Sequence, residues 1–241
     1  MNVDTPFRAL FIAAVVALGC SIMVASAVHF LRPLAPVEAF PARALAVLKA
    51  AGRLPAGDAE AEALAAAYRA LEARILDLDS GEFVAAEDPW EFDPWASETE
   101  TRTTELERAP VYLVRVEGQL DRVVFPVHGP GMWSTIYAYV ALQPDLDTVA
   151  KLVIFRHGET PGIGDRIEDD SWQSLWQGKK VFSENGEPRI DVVVGARGAH
   201  QIDAITGATI TAEAAGDFIR ASFGADGYGP FIARFREEAM D

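Results

Sequence analysis

The stretch "VYLVRVEGQLDRVVFPVHGPGMWSTIYAYVALQPDLDTVAKLVIFRHG" (Val111 to Gly158) decides the fold. It contains four runs rich in Val, Ile, Tyr and Phe: "VYLVRVEG", "LDRVVFPVHG", "STIYAYVALQP" and "VAKLVIFRHG". Gly, Pro and Asp bound the runs, as they bound strands. No segment between them has room for a helix, and parallel neighbours need a long crossover. The runs therefore predict an antiparallel meander.

The last run continues into "VIFRHGETPGIGDRI" (Val153 to Ile167). Its Arg156-His157-Gly158-Glu159-Thr160 resembles the signature of the histidine phosphatases. That chemistry needs a nucleophilic His in a pocket with Arg, a second His and an acid. It also sits on the first strand of a parallel sheet, and the strand-helix alternation of such a sheet is absent here. Only His200 lies downstream. His157 is therefore read as a wall or strand-end residue, before a turn shaped by Pro161, Gly162 and Gly164.

Further on, "DSWQSLWQGKKVF" (Asp170 to Phe182) reads as a short helix whose Trp172 and Trp176 belong to the core rather than to a cofactor stack. "PRIDVVVG" (Pro188 to Gly195) is another strand. "TAEAAGDFIRASF" (Thr211 to Phe223) is a helix that Thr211 could cap.

Upstream, "PVEAFPARALAVLKAAG" (Pro36 to Gly52) has a helical apolar period and a Gly stop. "GDAEAEALAAAYRALEARILDL" (Gly57 to Leu78) reads as one Ala-rich amphipathic helix with Asp58 as N-cap. "EDPWEFDPWASETETRTTELER" (Glu87 to Arg108) is an acidic surface loop whose Trp90 and Trp95 fold back onto the domain. No internal repeat is present.

"ALFIAAVVALGCSIMVASAV" (Ala9 to Val28) is uncharged, nearly all apolar and long enough to cross a hydrocarbon core. "VASA" (Val24 to Ala27) resembles a signal-peptidase site, and "ALGC" (Ala17 to Cys20) a lipobox. A cleaved signal usually has a shorter apolar run and a more basic start than "MNVDTPFR". The segment is read as a retained anchor. Arg8 and the amino terminus oppose His29 and Arg32, so the positive-inside count decides little. A single N-terminal span with a short head usually leaves the large domain outside the cytoplasm.

The 241 residues are half apolar and carry a net charge of −15 without any Lys/Arg cluster. That excludes nucleic acid as a natural partner and argues against docking on anionic lipid. One cysteine, Cys20, permits neither an internal disulfide nor a Cys-based metal cluster. The fold class is α+β: an N-terminal transmembrane helix, then a mixed domain with an antiparallel sheet and flanking helices.

The chemistry concentrates in "HQIDAITGATITAEAAGDF" (His200 to Phe218). Gly207 and Ala208 let backbone approach a ligand closely. Thr206, Thr209 and Thr211 offer hydroxyls where a helix begins, and helix N-termini favour phosphate. On these residues alone the segment is either a phosphate cradle or a Thr-rich N-cap turn.

"DAITGAT" (Asp203 to Thr209) matches the flavinylation motif D-x-x-[ST]-G-A-[ST]. "GPGMWSTIYAYVAL" (Gly129 to Leu142), "HGETPGIGDRI" (His157 to Ile167), "GADGYGPFIARF" (Gly224 to Phe235) and "CSIMVASAVHFLRPL" (Cys20 to Leu34) complete a resemblance to the C subunits of the Na+-translocating NADH:quinone reductases.

The resemblance implies FMN bound through a phosphoester to Thr209. A flavin transferase using Mg2+ would install it from FAD and release AMP. Asp203, Thr206, Gly207 and Ala208 would form the recognised turn. Glu159, Thr160 and Ile163 match positions lining the flavin, and Trp133 and Ser134 match a "GLWS" element beside it. Thr206 stands where Ser is common, and keeps the hydroxyl.

The implied function is one-electron relay from a membrane iron–sulfur centre to the FMN of the B subunit, with the B, D and E subunits among the partners. The implied location is a bacterial inner membrane. The segments would be a cytoplasmic head (1–8), a transmembrane helix (9–31), a helical lead-in with the acidic loop (32–109) and a periplasmic FMN-binding domain (110–241). Two alternatives are the G subunit of Rnf-type complexes, which carries the same motif, and a cofactor-free anchored binding domain. "GMWS" and "GYGPF" favour the NADH:quinone reductase version.

Overall fold

The structure, a computed structural model, describes residues 6–31, 39–55, 57, 60–85, 88–95 and 107–238. It divides into two compact units, Met1–Phe40 and Pro41–Asp241. In the first, helix α1 spans Pro6–Leu31. Its stretch Arg8–Ala27 has a mean hydropathy of 2.4 over 20 residues. At 1.5 Å per residue that is about 30 Å, the thickness of a hydrocarbon core.

Helix α2 (Ala39–Ala51), which lies in the second unit from Pro41 on, and α3 (Ala61–Arg69) precede the sheet. The strands are β1 (Glu72–Asp77), β2 (Glu82–Val84), β3 (Arg108–Val116), β4 (Gln119–Pro130), β5 (Thr135–Leu142) and β6 (Val149–Arg156). They pair antiparallel throughout, in the order β2-β1-β3-β4-β5-β6. The predicted meander is its β3–β6 portion. A parallel pair, β7 (Asp191–Val193) and β8 (Gln201–Asp203), lies apart from this sheet. Helices α4 (Asp170–Gln173), α5 (Thr209–Ser222) and α6 (Gly229–Glu238) complete the fold.

Both faces of the sheet are covered, which is why its strands read as nearly continuous apolar runs. One face carries Val123, Phe125, Val127, Ile136, Ala138 and Val140 against α5. That helix buries Ala212, Ala215, Gly216 and Ile219 at helical spacing. A Cβ on Gly216 would stand 2.9 Å from the Val192 amide nitrogen, so the glycine sets how closely α5 approaches β7. The other face carries Tyr112, Val124, Tyr139 and Val153 against Ala44, Val47, Leu48 and Ala51 of α2. Val47 and Leu48 are fully buried, contributing about 1.5–3 kcal/mol each.

Several expectations hold. Trp172 and Trp176 are buried, edge to face at 5.7 Å. Trp95 folds back against Tyr137 and Phe155, and Trp90 against Tyr68. Helix α2 stops at Gly52, whose φ is +64°. Tyr228 of the "GYGPF" segment donates its hydroxyl to the Pro126 carbonyl at 2.5 Å, pinning the C-terminal region to β4.

Others need correction. The segment Gly57 to Leu78 is not one helix. Helix α3 ends at Arg69, and Ile75 and Leu76 lie in β1, opposite Pro110 and Ala109 of β3. A non-local strand partner overrides the local helix propensity. Thr211 is not the cap of α5; Ala208 occupies that position and Thr211 lies in the first turn. Asp58 falls outside the described residues, as does most of the acidic loop.

Candidate functional site

Three turns meet at one end of the sheet. The first, residues 131–134, joins β4 to β5 and is closed by the Gly131 N–H donating to the Ser134 carbonyl at 2.7 Å. The second, residues 157–164, follows β6. There the Thr160 carbonyl accepts the amides of Ile163 and Gly164 at 3.2 and 2.9 Å, and Gly162 has a φ of +76°. The third is the entry to α5, where the Ile205 carbonyl accepts the Ala208 amide at 2.9 Å and Gly207 has a φ of +86°.

Between them lies a groove of about 280 Å³. Trp133, Glu159, Thr160, Ile163, Gly207, Ala208 and Thr209 line it, together with Met132, Gly164, Ile210 and Thr211. Residues from three distant stretches of chain thus share one cavity. Ser134 stands directly behind: its Oγ accepts the Gly158 amide at 2.5 Å and joins the first turn to the second. Asp203 and Thr206 are exposed and lie outside the lining. They shape the turn instead. The Asp203 carboxylate accepts the Gly195 amide at 2.8 Å, and its carbonyl accepts Trp172 Nε1 at 2.9 Å. The Thr206 carbonyl accepts from Arg166 at 3.3 Å.

Glu159 is the most enclosed polar residue of the groove apart from Thr211, at 4% and 2% exposed. Its Oε1 accepts the amides of Trp133 and Ser134 at 3.0 and 3.2 Å, and its Oε2 accepts the Thr211 hydroxyl at 2.8 Å. Burial pushes its carboxyl upward. The Trp133 amide, the Thr211 hydroxyl and the Ser134 amide outweigh that and hold it below its ordinary value.

The three threonines now separate. Thr206 lies outside the groove. Thr211 is buried and committed to Glu159. Thr209 lines the groove, half-buried, with its hydroxyl held only by a long 3.5 Å contact to the Ile205 carbonyl. The first-turn amides of α5 have no acceptor four residues back within the helix. A hydroxyl and these amides therefore stand together at one end of the groove. At its rim Met132, Trp133, Ile163 and Ile210 are 49%, 69%, 52% and 60% exposed. An apolar rim beside an anion-favouring helix start fits a flat aromatic ring bearing a phosphate.

His157 belongs to the wall. Its Nδ1 accepts the Glu159 amide at 3.1 Å and its Nε2 lies 3.1 Å from Glu168 Oε1. That contact with Glu168 raises its pKa. A larger cleft of about 400 Å³, where His128 and Pro130 face Phe218 and Tyr228, contains none of the expected residues. Among the described residues no cluster of three His, Cys, Asp or Glu could hold a metal. Sequence reasoning placed Gly164 in its turn but did not single out Met132 or Ile210, whose apolar side chains carry no chemistry of their own, and it gave Thr211 the wrong task.

Residues 131–222 match the family described as FMN-binding domain. The matched segment begins at the first turn and ends with α5, so it takes in all three walls. Over 98% of each chain, this one is 33% identical to the Na(+)-translocating NADH-quinone reductase C subunit of Pseudomonas aeruginosa. It is 32% identical to the protein of the same name from Yersinia pestis, over 99% of this chain and 96% of that one. The crystal structure of Shewanella oneidensis NqrC matches with a TM-score of 0.75 and 29% identity, over 84% of this chain and 100% of that chain.

Proposed function

The chain belongs to the family of Na(+)-translocating NADH-quinone reductase C subunits, and from that premise we propose that it carries FMN as a phosphoester on Thr209 and passes electrons singly between partner subunits. It is an FMN-binding electron-carrier subunit of a multi-subunit, membrane-bound NADH:quinone oxidoreductase. The observation that supports Thr209 as the attachment point is the sorting of the threonines. Thr209 alone of the three both lines the groove and keeps its hydroxyl outside a strong bond.

FMN supplies reversible one-electron chemistry when bound. The protein's part is to hold it and keep competing reactions out. The Thr209 oxygen would tether the phosphate, with the amides at the start of α5 beside it. Gly207 and Ala208 leave room for that approach, while Asp203 and Thr206 keep the turn in shape. Trp133, Thr160 and Ile163 would flank the ring. Glu159 and Ser134 hold the walls in register. No residue of the groove is assigned a proton-transfer step.

The FMN-binding portion is assigned to residues 110–241, on the periplasmic side of the inner membrane, with α1 as its single anchor. Electrons would arrive from a membrane iron–sulfur centre in partner subunits and leave to the FMN of the B subunit. A separate flavin transferase would load Thr209 from FAD. The full-length match to C subunits, anchor included, favours this reading over an Rnf-type G subunit. Flavin fluorescence on a denaturing gel tests it. A fluorescent band that vanishes in Thr209→Ala supports covalent loading, and a dark band from chain co-expressed with the transferase refutes it.

A further inference from the structure

The partners of Glu159 come from the two walls to which it does not belong. Its backbone lies in the turn after β6. Its Oε1 fastens the Trp133 and Ser134 amides of the first turn, and its Oε2 fastens Thr211 at the start of α5. The space around it is closed by two glycines. A Cβ on Gly131 would stand 2.6 Å from Oε1, and one on Gly164 would stand 2.9 Å from the Glu159 Cβ. Three hydrogen bonds from the protein leave this carboxylate little capacity for a ligand.

We propose that Glu159 is the positioning residue of the groove, acting through the first turn and through Thr211 rather than by touching the flavin, and that it determines which threonine is presented for flavinylation. The inference rests on the reading of Thr209 as the attachment site. Two hydroxyls lie within the first turn of α5, two residues apart. Glu159 draws the Thr211 hydroxyl inward and leaves Thr209 as the one facing the groove. The same carboxylate is a fixed negative charge in the wall, because its donors keep it ionised. A fixed negative charge opposes the arrival of an electron nearby, so removing it raises the midpoint potential of a flavin in the groove.

Two substitutions separate geometry from charge. In Glu159→Gln the amide oxygen can accept the Trp133 and Ser134 amides while its NH2 donates to the Thr211 oxygen. The staple survives and the charge is lost. Glu159→Ala removes both. Wild type and the two variants are each co-expressed with the flavin transferase. Three quantities are read: flavin per chain by intact mass, its position by peptide mapping, and the midpoint potential by spectroelectrochemical titration.

The Gln variant is expected to load Thr209 as wild type does, with a raised potential. The Ala variant is expected to load about tenfold less or worse, with part of its flavin on Thr211. Equal loading of Thr209 in wild type and Ala overturns the positioning role. If the Ala variant does not fold, Gly131→Ala decides, because its Cβ would stand 2.6 Å from Oε1 and displace the carboxylate from the Trp133 and Ser134 amides: loading of Thr209 equal to wild type overturns the inference, and reduced loading supports it. Wild-type chain without flavin on Thr209 overturns the attachment reading, and this inference with it.

Discussion

Thr211 donates its hydroxyl to Glu159 Oε2 at 2.8 Å across 52 residues of chain, whereas Thr209, one helical position before Ile210, reaches only the Ile205 carbonyl at 3.5 Å. Neighbouring threonines of one helix start therefore serve different ends. One closes a wall, and the other faces the cavity.

Thr211→Val keeps the side-chain shape but leaves a buried carboxylate oxygen without its donor. The expected cost is about 1–3 kcal/mol, read as a lower urea midpoint of the flavin-free protein. Thr209→Val removes a weakly held hydroxyl and should stay within about 0.5 kcal/mol of wild type. Equal midpoints for the two variants would show that the roles are misassigned.

Gly131→Ala places a methyl group 2.6 Å from Glu159 Oε1 and 2.7 Å from Ile136 Cδ1. The carboxylate must then leave the Trp133 and Ser134 amides. Overpacking of this kind costs about 1–3 kcal/mol. The variant should melt earlier and take up less flavin than wild type when both are co-expressed with the transferase. Unchanged melting would mean that the first turn yields without strain.

His128 is 5% exposed, stacked at 6.0 Å on Tyr137. Burial, with help from the Arg156 charge, pushes its pKa down to about 4. Between its ordinary value near 6.5 and about 4, the unfolded chain holds a proton that the folded one does not. Stability contributed by the neutral ring is therefore present above that window and lost as pH falls through it, by about 3 kcal/mol in all. His157 has the opposite sign, since Glu168 raises its pKa. Urea midpoints at about pH 7 and about pH 5 measure the slope. His128→Gln should flatten it; an unaltered slope would place its origin elsewhere.

The strands from Val111 to Arg156 were legible because both faces of the sheet are covered and each run is apolar along its length. Strand β1 was not. "LEARILDL" is a good helix sequence, and its pairing with the distant β3 on one side and with the short β2 on the other makes it a strand. Strand β8 has three residues, too few to show a period. In the site, the flavinylation motif marks the turn that enters α5 but not which of its letters face the cavity. Asp203 and Thr206 belong to the motif yet lie outside the groove lining. The Glu159–Thr211 bond was invisible because nothing local in either segment requires the other.

The phosphatase resemblance of "RHGET" fails on the same geometry. The Nδ1 of His157 is engaged by the Glu159 amide and its Nε2 faces Glu168, with the ring in the wall. His157→Ala should load FMN as wild type does.

Peptide mass spectrometry of the chain co-expressed with a flavin transferase tests the phosphoester on Thr209 without an intermediary. One added FMN moiety is expected on the peptide containing Thr209, with fragment ions placing it on that residue, and an unmodified peptide from Thr209→Ala. Wild-type peptide without the added mass, or with the mass on Thr206 or Thr211, would contradict it.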